Sequence, residues 1–127
     1  SITNQISFFG TSDIGPEGTE GETGTNVWRT PDASWRQSPI AYAEHINTPL
    51  LILHAEEDYR CALEQAEQLF AILRWLGKTV EMVVFEGENH SLTRGGRPGN
   101  RIEHQRQIYT WFGKYLGTHA VRADANT

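Results

Sequence analysis

The sequence predicts an α/β fold built as a parallel βαβα unit, a three-layer sandwich whose sheet is incomplete. Two nearly unbroken apolar runs, at 50–53 and 80–85, flank an amphipathic segment at 62–76. Apolar runs without strict polar alternation are typical of strands covered on both faces of a parallel sheet. A strand, a helix and a second strand in this order favour a right-handed crossover that makes the two strands neighbours.

The first predicted strand leads directly into a cluster of acidic residues. Pro49 suits the first position of a strand because its φ is fixed and it has no amide donor. The apolar run 50–53 follows, and the chain turns acidic at 56–58. Functional side chains of open α/β sheets lie outside the carboxyl ends of the strands. Asp58 is therefore a candidate functional residue.

Two amphipathic helices are predicted, at 62–76 and 101–116. In the first, apolar side chains recur every three or four residues and the other face is polar. Gly77 is placed to end the first helix in the left-handed conformation, and Gly117 to end the second. The apolar positions of the first helix are Leu63, Ala66, Leu69, Phe70, Leu73 and Leu76.

Two glycine-rich segments are predicted to be loops. Residues 11–31 are rich in glycine, threonine and glutamate, which is typical of an exposed loop. Residues 86–100 form the second loop, which contains His90. Residues 118–127 show no apolar pattern, so we expect a disordered tail after a single domain at 1–117.

One or two short helices are predicted at 32–45, just before the first strand. Ser38 is expected to be the N-cap of the second piece, with Pro39 at its first helical position. Trp35 is expected to face inward.

Composition excludes several classes of partner. The 127 residues suffice for one domain with a core, and a net charge of −5 without a basic patch argues against a nucleic-acid partner. No apolar run reaches the roughly 18 residues of a membrane span, so no membrane association is expected. No signal peptide is visible, and a single cysteine, Cys61, cannot form an internal disulfide. A cytoplasmic location is expected, and no cofactor or metal is predicted.

Asp58 and His90 follow the two neighbouring strands and are expected to meet. Adjacent parallel strands lie about 5 Å apart, so the loops after them share one edge of the sheet. An imidazole oriented by a carboxylate is half of an acyl-transfer triad. Alternatively, Asp58 is an acid before a helix start, and His90 a loop histidine bonded to a backbone carbonyl.

A metal site is a further alternative by residue type, although the spacing matches no usual metal signature. His54 is more readily explained as a packed, hydrogen-bonded residue at the strand end. The possible ligands are His54, Glu56, Asp58, Cys61 and His90.

No nucleophile is evident. A nucleophile elbow has the pattern Gly-x-Ser-x-Gly between a strand and a helix, and no such pentapeptide occurs in the sequence. The segment 10–15 misses the pattern by one place, and Ser91 is too close to His90 to be its usual partner.

Three segments closely resemble the prolyl oligopeptidase family, and in particular its acylaminoacyl peptidases. These segments are 49–61, 64–70 and 85–91, and the resemblance runs from about Ser1 to Leu116. It implies the C-terminal part of an α/β-hydrolase catalytic domain, with Asp58 as the triad acid and His90 as the triad base. The nucleophilic serine would lie before Ser1.

The first functional hypothesis is therefore a fragment of a serine peptidase that is inactive alone, from a parent enzyme acting on peptides or acyl-amino acids. The second is a non-catalytic α/β module that forms a homo-oligomer through an exposed sheet edge. A third is a bipartite enzyme in which another chain supplies the serine.

Overall fold

The computed structural model describes residues 2–5 and 15–117, apart from the side chains of 2 and 16–19. Two parallel strands alternate with helices in the predicted order. The elements are a 3-10 turn Ile2–Asn4, α1 Gly15–Thr23, α2 Pro31–Arg36, a 3-10 helix Pro39–His45, β1 Leu50–Ala55, α3 Leu63–Trp75, β2 Val80–Phe85, α4 Leu92–Gly95 and α5 Pro98–Leu116.

The sheet confirms the predicted βαβ unit. β1 and β2 are parallel neighbours, with Leu50 opposite Val80 and Ala55 opposite Phe85. Because both strands run in register to their ends, the loops that follow them leave the same edge of the sheet.

Helices lie on both faces of the sheet, which gives the predicted three layers. On one face Leu73 of α3 is fully buried and belongs to a core that also contains Ala43, Val80 and the partly buried Ile52. On the other face Trp111 of α5 lines an apolar groove with residues of β1. Residues 50–54 of β1 are only half-buried, so the expectation of a strand covered on both faces is only partly met.

Gly77 ends α3 as predicted. Its φ of 69° lies in the left-handed region, where residues with a side chain are strained. The amide of Gly77 donates to the carbonyl of Arg74 at 3.0 Å, and that of Lys78 donates to the carbonyl of Leu73 at 2.9 Å. These paired bonds satisfy two of the carbonyls that a helix end leaves open.

The loop prediction for residues 11–31 is wrong for 15–23, which form α1. Pro16 falls in the first turn, where its missing amide proton costs no helical hydrogen bond. Gly24, with φ of 64°, follows the last residue of the helix, and its amide donates to the carbonyl of Glu20 at 2.8 Å. Residues 11–14 and the predicted tail at 118–127 lie outside the described residues.

The loop prediction for residues 86–100 is also wrong in part. Residues 92–95 form the single turn of α4, and α5 begins at Pro98 rather than at 101. Proline suits the first turn of a helix, and the side chain of Glu88 accepts hydrogen bonds from Arg97 and Asn100 beside that turn.

The segment 32–45 forms two short helical pieces, as predicted, but two details differ. Ser38 precedes the 3-10 helix without capping it; its hydroxyl donates instead to the carbonyl of Ser34 at 2.8 Å. Trp35 is 46% exposed, because Ser34 occupies the buried face of α2. Within 2–5 and 15–117, no helix is both long enough and apolar enough to cross a membrane.

An ion pair on α5 predicts a pH-dependent contribution to stability. Arg106 donates to both carboxylate oxygens of Glu103, at 2.7 and 2.6 Å, and Gln107 donates to one of them at 2.7 Å. These bonds, that of Arg106 first, lower the pKa of Glu103 from 4.5 to about 2. The stabilisation is therefore fully present above pH 4.5 and is lost as the pH falls towards 2.

We expect Glu103→Gln to lower Tm at pH 7 by a few degrees at most, since exposed pairs stabilise weakly. Thermal unfolding followed by circular dichroism should show this difference shrinking below pH 4.5. Glu67→Gln on the exposed face of α3 is the control. A Glu103→Gln difference that is constant from pH 7 to pH 3 would contradict the argument.

Candidate active site

The turn after β1 holds the carboxylate of Asp58 firmly. Its Oδ1 accepts hydrogen bonds from the amides of Arg60 at 3.0 Å and Cys61 at 2.8 Å. The side chain is only 7% exposed. Asp58 therefore binds amides of its own turn, and α3 begins at Leu63 with Ala62 at the cap position, so Asp58 does not cap this helix.

The loop after β2 brings His90 to the same edge of the sheet. Gly87, with φ of 67°, makes the turn away from the strand. The amide of Ser91 donates to Oδ1 of Asn89 at 2.9 Å, which closes a local turn around His90. The imidazole is 45% exposed, so one side of the ring faces solvent.

Three hydrogen bonds join the turn after β1 to the last residue of β2 and the loop after it. The amide of Glu56 donates to the carbonyl of Phe85 at 3.0 Å, and that of Glu57 donates to the carbonyl of Glu88 at 2.9 Å. The amide of Gly87 donates to the carboxylate of Glu56 at 3.1 Å. The two loops are thus held to each other independently of the side chains of Asp58 and His90.

Asp58 and His90 meet as predicted, with Nδ1 of His90 at 2.9 Å from Oδ2 of Asp58. An ionised carboxylate only accepts hydrogen bonds, so Nδ1 carries the proton and donates it. In the neutral ring Nε2 is then unprotonated and able to accept a proton. Because His90 contacts a carboxylate here, the alternative of a histidine bonded to a backbone carbonyl is not what the structure shows.

His54 is packed and hydrogen-bonded, as expected. Its Nε2 lies 2.7 Å from the carbonyl oxygen of Cys61 and 3.8 Å from Oδ2 of Asp58. The ring thus closes the turn whose amides hold Asp58. The metal alternative is not supported, because no three His, Cys, Asp or Glu side chains within 2–5 and 15–117 are placed to bind an ion.

A cleft of about 270 Å³ lies beside the pair. Its lining includes Asp58, His90, Thr93 and His104. His104 packs its ring against Phe85, with the ring centroids 5.6 Å apart. His104 was not predicted to be a site residue, although its spacing from Trp111 on α5 places both on one face of the helix. Glu88 was also missed, since only its burial in the folded chain distinguishes it from other loop acids.

Comparison with known sequences identifies the family. The family model described as "Prolyl oligopeptidase family" matches residues 1–119. The chain belongs to the prolyl oligopeptidase family. It is 44% identical over 116 residues to "Uncharacterized peptidase YuxL" of Bacillus subtilis, a match that covers 91% of this chain and 18% of YuxL. The chain therefore spans less than a fifth of the length of that relative.

Solved acylaminoacyl peptidases share the fold. One, in complex with Z-Gly-Gly-Phe-chloromethyl ketone, aligns with a TM-score of 0.77 at 30% identity, over 84% of this chain and 17% of its own. The uncomplexed enzyme from Pyrococcus horikoshii aligns with a TM-score of 0.76 at 28% identity, over 90% of this chain and 19% of its own. The prediction of a partial α/β-hydrolase fold is confirmed.

Proposed function

We propose that Asp58 and His90 are the acid and the base of a serine-peptidase triad that acts on peptides or acyl-amino acids. The observation that carries the proposal is the 2.9 Å contact between Nδ1 of His90 and Oδ2 of Asp58 at the carboxyl end of the sheet. Membership of a peptidase family supports the reaction class. The acylaminoacyl peptidases among the similar structures support the substrate class.

Each residue has one task in the proposed reaction. Nε2 of His90 takes the serine hydroxyl proton as the serine oxygen bonds to the substrate carbonyl carbon. It returns that proton to the amine nitrogen as the carbon–nitrogen bond breaks, which leaves an acyl-enzyme. A water molecule then loses a proton to Nε2 and attacks the acyl carbon. The bond between that carbon and the serine oxygen breaks as the serine oxygen takes the proton from Nε2, which releases the acid. Asp58 keeps the ring in the required tautomer and stabilises the imidazolium.

The serine must come from outside the 127 residues in this proposal, since none of their serines lies in Gly-x-Ser-x-Gly. The nucleophile is then supplied either by a segment of the same polypeptide or by a second chain. In both cases these 127 residues alone hold the proton-transfer pair and lack the group that attacks the substrate.

Two proteins test this proposal: the chain alone, and a chimera in which the chain replaces the matching segment of Bacillus subtilis YuxL. We expect the chain alone neither to react with a fluorophosphonate probe nor to hydrolyse an acyl-amino-acid p-nitroanilide. We expect the chimera to do both. Turnover by the chain alone that His90→Ala abolishes would refute the assignment of the serine to another segment. A folded chimera that reacts with the probe but hydrolyses no peptide or acyl-amino-acid anilide would refute the substrate class.

Self-association remains a separate prediction, favoured by the open sheet. β1 and β2 form a two-stranded sheet within 2–5 and 15–117, so each strand has one edge without a strand partner there. Open edges can pair with another chain, so a homo-oligomer is expected. A monomeric mass in light scattering at micromolar concentration would count against it. The cytoplasmic location also stays a prediction from the sequence.

A further inference from the structure

Glu88 is a buried carboxylate in the loop that carries His90. It is 4% exposed, and its Oε1 accepts hydrogen bonds from the amide of Arg97 at 3.0 Å and the side-chain amide of Asn100 at 2.7 Å. The hydrogen bond from Asn100 and then that from Arg97 lower the pKa of Glu88 below its usual 4.5. The side chain is therefore ionised at neutral pH and fixed to the start of α5.

The main chain of Glu88 is tied to the other side of the site. Its carbonyl accepts the amide of Glu57 at 2.9 Å, and Glu57 directly precedes Asp58. One residue thus joins the turn after β1, the loop after β2 and the first turn of α5. These are the segments that decide where His90 lies relative to Asp58.

The carboxylate has little freedom to move. A Cβ atom at Gly96 would lie 2.7 Å from Oε2 of Glu88 and 2.5 Å from the carbonyl oxygen of Leu92. The backbone at Gly96 therefore closes over the carboxylate, and only glycine permits this approach. By contrast, the imidazole of His90 is 45% exposed, so packing around the ring cannot by itself fix its position.

We propose that Glu88 is a positioning residue for His90, which acts by anchoring the loop after β2 to the start of α5. The inference rests on the proposed role of His90 as general base. Glu88 touches neither substrate nor the reacting atoms in this account. Its effect passes through the contact between Nδ1 of His90 and Oδ2 of Asp58.

The test reads that contact directly, without turnover. Histidine ring nitrogens of the ¹⁵N-labelled chain are observed in long-range ¹H–¹⁵N correlation spectra, which separate the Nδ1–H tautomer from an average of both tautomers. We expect the unchanged chain and Glu88→Gln to show the Nδ1–H tautomer at His90, because the glutamine carbonyl oxygen can accept both bonds that Oε1 accepts. We expect Glu88→Ala to lose this signature and to show averaged signals.

Leu73→Ala is the matched control, since it opens a cavity in the core formed with Ala43 and Val80. It should lower Tm by several degrees and leave the His90 signals unchanged. Asn100→Ala removes the shorter of the two hydrogen bonds that Oε1 of Glu88 accepts. It is the substitute variant if Glu88→Ala does not fold. It should move the His90 signals only part of the way towards the average of both tautomers.

The proposal would be overturned if folded Glu88→Ala showed wild-type His90 signals. If Glu88→Ala does not fold, wild-type signals in Asn100→Ala would overturn it instead. Equal changes in Leu73→Ala, or a loss of the signature in Glu88→Gln, would do the same. The proposed function fails by a different measurement, namely full turnover by a His90→Ala chimera.

Discussion

Replacing His90 with alanine is expected to reduce kcat/KM of the YuxL chimera for an acyl-amino-acid p-nitroanilide by about 10⁴- to 10⁶-fold. In the proposed mechanism, the variant loses the ring that takes the serine proton and returns it to the leaving group. KM should change little, because the imidazole acts mainly in the transition state. Initial rates at several substrate concentrations measure both constants.

His45→Ala provides a matched control for this experiment. His45 is exposed at the end of the 3-10 helix that precedes β1, away from the carboxyl ends of the strands. Its removal should leave kcat/KM within about twofold of the parent, as for an ordinary surface substitution. If His90→Ala retained most of the activity, His90 would not be the base, however close it lies to Asp58.

Asp58→Asn is expected to reduce kcat by about 10⁴-fold while the chain stays folded. An asparagine carbonyl at this position can still accept the amides of Arg60 and Cys61, which Oδ1 of Asp58 accepts now. The amide nitrogen would then face Nδ1 of His90 and donate to it. That donation reverses the tautomer, so that Nε2 carries a proton and cannot act as a base.

Two measurements separate this effect from unfolding. Circular dichroism and Tm should stay close to those of the parent, and the ¹⁵N signals of His90 should change to the Nε2–H tautomer. Asp32→Asn, at an exposed acid in the first turn of α2, is the control and should alter neither activity nor tautomer. Activity within tenfold of the parent, with the tautomer reversed, would show that catalysis does not depend on the tautomer that Asp58 imposes on His90.

The elements that could be predicted are those whose sequence pattern depends only on residues close together in the chain. The apolar runs of β1 and β2 and the stripe of α3 with Gly77 after it each depend on residues close in sequence. The meeting of Asp58 and His90 followed from topology, since parallel neighbours send their loops to one edge. No side-chain detail was needed for that prediction.

What could not be predicted depends on contacts between distant residues. Glu88 resembles any loop glutamate until the chain folds and Arg97 and Asn100 reach it. The same contacts lie beside the start of α5. The apolar pattern of the sequence predicted that this helix begins at 101, three residues after its actual start at Pro98. Trp35 was expected to face inward, yet it is 46% exposed and the neighbouring Ser34 takes the buried side of the helix.

The hydrogen bonds between the two loops have a mechanical consequence. Two backbone hydrogen bonds from Glu56 and Glu57, and one from the amide of Gly87 to the Glu56 carboxylate, couple the two strand ends. A displacement of one strand end is therefore expected to carry the other with it. The carboxylate of Asp58 and the imidazole of His90 then move together as one rigid unit. If the serine lies outside these residues, as proposed, its alignment with the pair depends only on how this rigid unit is placed relative to the segment that carries the serine. Substitutions on the surface far from Asp58 and His90 could then change the position of this unit relative to the serine. They would leave the geometry between the carboxylate and the imidazole unchanged.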